Sequence, residues 1–321
     1  MRRRSTPNDG FALVIVLWAG VLLSAVAASF ALDMRAETRR AGDLLAHAKA
    51  EAIADAGVRR GIVALLSESS GPRRESGGSV YELPFADGSM RIRMTSEEGK
   101  IDLNRAPDAL IEGLLRALFE SGEIDSETRA ASIADAILDW RDTDQWVRTY
   151  GAEDRTYAAS GIALGARDGP FLSVAELNLV LGVDAEVFAR LAPWVTVHSR
   201  SSQVDPVTAP RTVLRAVPGL DAETVDRFIA ARNAWRAGEG TVREGRGHLP
   251  VEMLSAGERF LSANEARVYT IDAVGVLPDG ARASRRAVVQ LTGLARKPFT
   301  TIAWFDAIPD SESDEFMPRL E

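Results

Sequence analysis

Acidic side chains crowd one short stretch of the chain, residues 139–154 (DWRDTDQWVRTYGAED). The carboxylates are Asp139, Asp142, Asp144, Glu153 and Asp154. Like charges this close repel one another, and carboxylate oxygens are the ligands that Ca²⁺ prefers. The stretch lacks the alternating oxygens, central glycine and terminal glutamate of an EF-hand loop. The spacing leaves two interpretations open, a calcium site at a helix end or a solvated acidic loop.

Other kinds of site chemistry find little support. The chain has no cysteine, which excludes disulfides, zinc ribbons, iron–sulfur clusters and thiol catalysis. Its histidines, His47, His198 and His248, lie far apart, and neither a Gly-x-Ser-x-Gly elbow, an H-E-x-x-H motif nor a P-loop occurs. The net charge of −8 argues against broad nucleic-acid binding, which depends on clustered Lys and Arg. We therefore expect a protein that is not an enzyme.

The 321 residues allow about two domains of ~150 residues, and one segment stands outside them. Residues 11–32 carry no charge, and at ~1.5 Å per residue their helix reaches about 33 Å, enough to cross a ~30 Å hydrocarbon core. Because Arg2, Arg3 and Arg4 precede it, we expect a cytoplasmic N-terminus and an exported body. A secretory signal cleaved at the alanines of residues 25–28 is the alternative.

The start of the apolar segment resembles a type IV prepilin processing site. A short basic leader ends at Gly10 and is followed by Phe11, where a prepilin peptidase would cut and methylate the new N-terminus. The cut precedes the apolar helix, so the anchor would be retained. Most pilins carry Glu at the fifth mature position, whereas this chain has Ile15. A buried carboxylate without a partner is costly, so Ile15 suggests a subunit that caps a filament; an ordinary anchor is the alternative.

The exported part begins with helix and then changes to strands. Residues 33–66 continue the helix, with a predicted apolar face at Leu44, Leu45, Ala48, Ala52 and Ala56, followed by Val58, Ile62 and Leu65. Alternating residues at 81–85 and 90–94 around Asp87-Gly88 indicate a hairpin, and residues 268–273, 287–291 and 300–305 indicate further strands. These elements predict an α+β protein in which a long helix packs on an antiparallel sheet.

A helical block separates the two groups of strands and contains an internal repeat. Residues 101–107 (IDLNRAP) resemble residues 204–210 (VDPVTAP), and each copy is followed by an apolar helical stretch. Glycine turns at residues 181–184 and 218–221 suggest short helix–hairpin–helix units. Such units can bind DNA phosphates, but Asp184 and Asp221 follow the glycines and would repel them. An interaction scaffold is favoured, and a membrane-anchored DNA receptor is the alternative.

These patterns predict the following organisation. The segments are a leader (1–10), a transmembrane helix (11–32), an exported helix (33–66), a β-sheet (67–100 and 264–307), an all-α insertion (101–263) and an acidic tail (308–321).

In combination the motifs resemble the type II secretion system protein K family of minor pseudopilins. The matching stretches are Gly10-Phe11, Ile15, GKIDLNRAP at 99–107, ADAILDWRDTD at 134–144, GAED at 151–154, FLSVAEL at 171–177, LAPWVTVHS at 191–199 and VDPVTAPRTVL at 204–214.

The resemblance implies a pseudopilin fold with a large all-α insertion, anchored in the inner membrane with its body in the periplasm. It implies docking with I- and J-type minor pseudopilins at the tip of the pseudopilus, processing by prepilin peptidase, and structural calcium in the helical domain. Because Arg141 and Gln145 lie among the acids, coordination is expected to be weaker or limited to one ion.

Overall fold

The computed structural model describes residues 9–67, 77–119, 126–162, 165–237, 259–262 and 267–306. The helices are α1 (Asp9–Leu66), α2 (Asp108–Phe119), α3 (Ser126–Arg141), α4 (Asp154–Ala159), α5 (Ala185–Leu191), α6 (Arg211–Arg215) and α7 (Ala222–Ala237). The strands are β1 (Gly77–Phe85), β2 (Gly88–Ser96), β3 (Ile101–Asp102), β4 (Val195–Thr196), β5 (Val268–Val276), β6 (Arg282–Leu294) and β7 (Lys297–Phe305). Residues 1–8 of the leader, His248 and the tail from residue 308 lie outside the described residues.

Helix α1 has two halves with different surroundings. Its 58 residues give a length of about 87 Å. Among its described side chains, the N-terminal half contributes none to a hydrophobic core, and large apolar side chains such as Leu13 and Leu23 are 75% and 76% exposed. The helix is long and apolar enough to cross a membrane. The predicted long helix is thereby confirmed.

The C-terminal half of α1 packs on a five-stranded sheet. The strand order is β1-β2-β5-β6-β7, and every neighbouring pair is antiparallel. Alternate residues of β2 and β5 face the helix, and Ile92 pairs with Ala273 between them. The shared core includes Ile53, Val58, Ile62, Met90, Met94, Tyr269, Ile271 and Val289. The helix-on-sheet prediction is correct.

Small residues let α1 approach the sheet closely. A Cβ atom on Gly61 would lie 2.8 Å from Ile271 Cγ2, and one on Gly275 would meet the carbonyl oxygen of Ala50. The predicted contact face is correct at Val58, Ile62 and Leu65, which are buried in this core. It is wrong nearer the stem, where Leu44 and Leu45 are 71% and 60% exposed and the predicted Ala48 and Ala52 are exposed as well, because the buried face begins only at Ala50.

The strands extend beyond the predicted segments. The first hairpin turns at Ala86 and Asp87, with Ala86 at φ 51°, while Gly88 already belongs to β2. The predicted turn at Asp87-Gly88 was thus wrong by one residue. A Cβ on Gly88 would meet the carbonyl oxygen of Val276, so this glycine is needed for close strand approach rather than for the turn.

The insertion is helical as predicted and has its own hydrophobic core. Leu110, Leu114, Ile133, Ile137, Tyr157, Leu177, Val213 and Val225 belong to this second cluster. It also contains the parallel pair β3–β4, in which Ile101 lies opposite Val195. The all-α description therefore needs correction, because two residues on each side form a strand pair too short to give an alternating sequence pattern.

Two adjacent glutamates join the insertion to the sheet. Glu97, 2% exposed, accepts hydrogen bonds from Lys100 Nζ (2.8 Å), Thr270 on β5 and Thr196 on β4. Burial alone raises the pKa of Glu97, but the Lys100 ammonium and these hydrogen bonds outweigh it, so its pKa lies below the usual value. Glu98 accepts the backbone amides of Arg267 and Val268. These contacts hold both places where the chain passes between the sheet and the insertion. The exact domain boundaries stay a prediction.

The close approach at Gly275 can be tested by adding one methyl group. We expect Gly275→Ala to lower the free energy of unfolding of the sheet by about 1–3 kcal/mol, because the Ala50 carbonyl must move. The matched control is Gly42→Ala on the exposed part of α1, where nothing lies within 4 Å and alanine favours helix. Denaturant unfolding of the full chain in detergent measures both. Equal stability of the two variants would contradict the packing described.

Candidate metal centre

Three of the predicted acidic residues converge where α3 ends. Carboxylate oxygens of Asp142, Asp144 and Glu153 all lie within 4.8 Å of one another. Asp142 and Asp144 sit in the loop after α3, where each accepts the backbone amide two residues on, at 3.3 Å and 2.8 Å. Glu153 immediately precedes α4. The turn chemistry of the two aspartates thus brings their side chains to the buried glutamate.

Glu153 has an unusual environment for a carboxylate. It is 2% exposed, and neither of its oxygens accepts a hydrogen bond from the described part of the chain. Burial, followed by the nearby charges of Asp139, Asp168, Asp142 and Asp144, raises the pKa of Glu153 to about 7. A buried carboxylate without donors is costly, and a bound cation would remove that cost.

Asp168 is a further member of this acidic environment that sequence reasoning missed. It lies in a separate loop and adopts a left-handed conformation, with φ 54°. One oxygen accepts from Gln145 Nε2 at 2.7 Å, and the other is buried without a hydrogen-bond partner among the described residues. The Asp168-Gly169 pair signals a turn, but its sequence position gives no indication of the spatial neighbourhood.

The other two predicted ligands lie outside the converging group. Asp139 is fully buried on α3; its Oδ2 accepts the Arg148 amide at 3.2 Å, and its Oδ1 lies 3.3 Å from Arg148 Nε. A Cβ on Gly151 would collide with Asp139 Oδ2, so the loop closes over this carboxylate. Asp154 is exposed at the start of α4, with its carboxylate against Gly165. The assignment of all five residues as ligands stays a prediction.

Arg141 lies among the acidic residues in the sequence, but its side chain contacts the first repeat loop. Its guanidinium donates to the carbonyl oxygens of Leu103 (2.8 Å) and Ala106 (2.9 Å) and to Asp108 (2.9 Å). It therefore holds the first repeat loop rather than the acidic cluster. Because Arg141 directly precedes Asp142, this contact also fixes the point where the acidic loop leaves α3.

The second repeat is built in the same way. Arg232 on α7 donates to the carbonyl oxygens of Pro206 (2.9 Å) and Ala209 (2.5 Å), the positions that match Leu103 and Ala106. In each copy the aspartate caps its own loop: Asp102 accepts the Asn104 amide at 2.9 Å, and Asp205 accepts the Val207 amide at 3.1 Å. The internal repeat is thus a structural repeat. The acidic loop follows the first copy, and the corresponding segment after α7 lies outside the described residues.

Several separate stretches of the insertion meet around the first repeat loop. Asn104 Nδ2 and Oδ1 bond the carbonyl and amide of Phe171, at 2.9 and 2.7 Å. Asp102 Oδ2 accepts from Ser199 Oγ (3.1 Å) and the Arg200 amide (2.8 Å). Trp140, which lies two residues before Asp142, stacks on Phe171 with ring centroids 6.0 Å apart. Aromatic and polar contacts therefore join the end of α3 to the first repeat loop.

The predicted glycine hairpins are present, but aspartates cap the helices that follow them. Gly182 and Gly219 have φ of +87° and +85°. Asp184 accepts the Val187 amide at 2.8 Å, and Asp221 accepts the Thr224 amide at 2.7 Å. These carboxylates take the amides that a phosphate would need. The hairpin geometry therefore gives no support to DNA binding.

The raised pKa of Glu153 predicts a pH dependence of the metal-free protein. Between about pH 4.5 and 7 the folded state binds more protons than the unfolded state, so the free energy of unfolding should fall as pH rises. Glu153→Gln removes this titration and should flatten the profile. Denaturant unfolding at a series of pH values in EDTA measures it. An identical slope in both proteins would show that Glu153 titrates normally.

Comparison with known proteins agrees with this architecture. Residues 94–200 match the family model described as "Type II secretion system (T2SS), protein K". The protein K relative from Aeromonas hydrophila is 29% identical over 211 residues, which cover 59% of this chain and 63% of the relative. The relative from Pectobacterium carotovorum is 28% identical over 142 residues, covering 42% of this chain and 43% of the relative. Each match thus spans less than two thirds of the relative's length.

A solved structure shares the fold. The crystal structure described as the GspK-GspI-GspJ complex from enterotoxigenic Escherichia coli matches with a TM-score of 0.55 and 16% identity, over 86% of this chain and 99% of that chain. The long helix, antiparallel sheet and helical insertion are therefore an arrangement already seen in a solved structure. Over the first repeat and its loops, and in its overall fold, the chain is thus similar to type II secretion system protein K.

Proposed function

We propose that the chain is a minor pseudopilin that forms or initiates the tip of a periplasmic pseudopilus, which exports folded proteins across the outer membrane. The proposal rests on one observation. The N-terminal half of α1 is an exposed apolar stem, and it continues into a head that contains a large helical insertion. The stem suits insertion into a bilayer and packing with other stems. The insertion adds bulk to the head, which suits a terminal position better than a place in the shaft.

The N-terminal residues support processing and a terminal position. Gly10 and Phe11 precede the uncharged part of α1, so cleavage between them by a prepilin peptidase would leave the stem attached. The stem is then a single inner-membrane span with the head in the periplasm. Ile15 stands where a shaft subunit would place a glutamate, so this subunit offers no carboxylate to a neighbour's terminal amine.

The proposed partners are minor pseudopilins of the I and J types. The solved structure that shares this fold is a complex of a K protein with I and J proteins. Its identity of 16% supports the fold of this chain alone, so the proposed partnership rests on that complex together with the similarity to protein K relatives. We propose no catalytic role. We also propose no nucleic acid as a partner, because Asp184 and Asp221 already accept hydrogen bonds from the backbone amides after the glycine hairpins.

Complex formation tests this proposal. The full-length chain, co-expressed with the I- and J-type pseudopilins of the same organism and purified in mild detergent, should elute with both. The major pseudopilin serves as the control and should not replace either partner in that complex. Elution of the chain alone in the presence of both partners would refute the proposed role. A salt-dependent shift with DNA would favour the receptor alternative instead.

We also propose that the acidic loops hold structural Ca²⁺. Asp142, Asp144 and Glu153 would bind it, with Asp168 close by, because they supply hard oxygen ligands and buried oxygens without donors. When bound, the ion would neutralise their mutual repulsion. The loop between α3 and α4 would then be tied to the loop of Asp168 at one point, which would stiffen the insertion.

Removal of calcium gives a direct test. We expect the melting temperature of the full chain to fall in EDTA by several degrees and to recover with excess Ca²⁺, because an ion that binds the folded state alone stabilises it by mass action. Glu153→Gln should lose this response, whereas Asp87→Asn, on the exposed hairpin turn, should keep it. Calorimetry measures the transition. An unchanged melting temperature in EDTA would remove the calcium proposal.

A further inference from the structure

We propose that the acidic tail of the chain binds to the outer face of its own sheet, the face opposite α1, where arginines receive its carboxylates. The part of the tail that would bind is residues 310–315, which contain Asp310, Glu312, Asp314 and Glu315 and no basic residue. The inference depends neither on the proposed function nor on the calcium site.

The outer face of the sheet carries more positive than negative side chains. Because side chains alternate along a strand, the neighbours of the residues that pack on α1 point to the opposite side. The arginines on that side of β2 and β6 are Arg91, Arg93, Arg282 and Arg286, called here the arginine face. The carboxylates on the same side of β1 and β5 are Glu82 and Asp272. Among the described side chains of these four strands, four positive charges thus stand against two negative ones.

One cross-strand row concentrates this charge. Arg93, Asp272 and Arg286 lie side by side on β2, β5 and β6, and Phe305 continues the row on β7. Asp272 is buried and accepts hydrogen bonds from Arg93 Nη2 at 3.1 Å and from Arg286 Nε at 2.6 Å. Within this row one carboxylate faces two guanidiniums, so a further carboxylate nearby is attracted to it.

The tail leaves the sheet beside this row. Phe305, the last residue of β7, lies opposite Arg286, one strand spacing of about 4.8 Å away. The carbonyl oxygen of the next residue, Asp306, accepts a hydrogen bond from Arg285 Nη1 at 3.0 Å. The root of the tail is therefore fixed at the edge of the arginine face.

The acidic residues of the tail are within reach of the arginine face. Three strand spacings, about 14 Å, separate β7 from β2. Asp310 lies five residues after Phe305, so an extended chain brings it up to ~17 Å from that residue, and Glu315 twice as far. Because the tail is attached to the same chain, its local concentration is on the order of millimolar, and individually weak contacts are enough to hold it.

The other side of the same sheet edge is less suited to the tail. Arg285 points toward α1, where its Nη2 lies 3.2 Å from Glu51 and its Nε 3.0 Å from Asp55. These two carboxylates already surround that arginine and would repel the acidic residues of the tail. The charges near the root therefore favour the outer face.

Cysteine trapping in the full chain in detergent tests the inference, since the chain has no native cysteine. Ser313→Cys in the tail is combined either with Val80→Cys or with Ala52→Cys. Val80 lies opposite Arg93 on β1, four strand spacings or about 19 Å from β7. Ala52, exposed on α1, follows Glu51, which shares Arg285 with Asp306, so it lies close to the root of the tail. A tail without a preferred site would reach Ala52 at least as readily as Val80.

We expect the Val80 pair to form its disulfide about tenfold faster than the Ala52 pair at low salt, because binding concentrates the tail on the outer face. This advantage should disappear in about 1 M NaCl, where the Debye length is ~3 Å. It should also disappear when the four carboxylates of residues 310–315 are replaced by their amides.

Two results would overturn the inference. One is equal rates for the two pairs at low salt. The other is a Val80 advantage that survives both high salt and the neutral tail. Ser89→Cys, a change of one atom on the same face of β2, replaces Val80→Cys if circular dichroism shows that the latter does not fold.

Discussion

A single helix in this protein has to satisfy two environments. The first half of α1 exposes large apolar side chains on all sides, and the second half lies so close to the sheet that glycines are needed on both partners. In the proposed function such a stem would gain its free energy from a bilayer and from neighbouring stems, while the head is stabilised by α1 packing on β5. Because the helix is continuous, the position of the head is tied to the position of the stem.

The head also contains the helical insertion, in which carboxylates lie close together and repel one another. Glu97 and Glu98 fix the insertion to the sheet through contacts with both chain crossings. Within the insertion, paired repeat loops are each held by one arginine, and the loop after the first repeat gathers carboxylates that the protein only partly neutralises. A folded protein retains such repulsion where a ligand relieves it, which is the physical basis for the proposed calcium site.

The sequence predicts the elements that have a strong period or a strong composition. The uncharged run of α1, the hairpin of β1 and β2, and the glycine hairpins at Gly182 and Gly219 were all correct in kind. The contact face of α1 was correct at Val58, Ile62 and Leu65 but wrong at Leu44 and Leu45, because helical periodicity does not mark where along the helix the sheet begins. The pair β3–β4 was missed because two-residue strands have no period.

The candidate site was predictable only where its residues are close in sequence. Asp142 and Asp144 share one loop with Glu153, and their density alone identified them. Asp168 was missed because the fold, rather than the spacing, brings it near. Arg141 was taken for a competitor of the cation, since its contacts to Leu103 and Ala106 depend on how α3 packs on the repeat loop. Side-chain partners across the chain thus require the structure.

The most direct measurement for this account is the N-terminal residue of the native protein recovered from the membrane. Intact-mass and N-terminal peptide analysis should show a chain that begins at Phe11 and retains all of α1, because only a retained stem can hold the head at the end of a filament. A mature chain that begins after Leu32 would describe a protein released from the membrane, and it would contradict the proposed place at the pseudopilus tip.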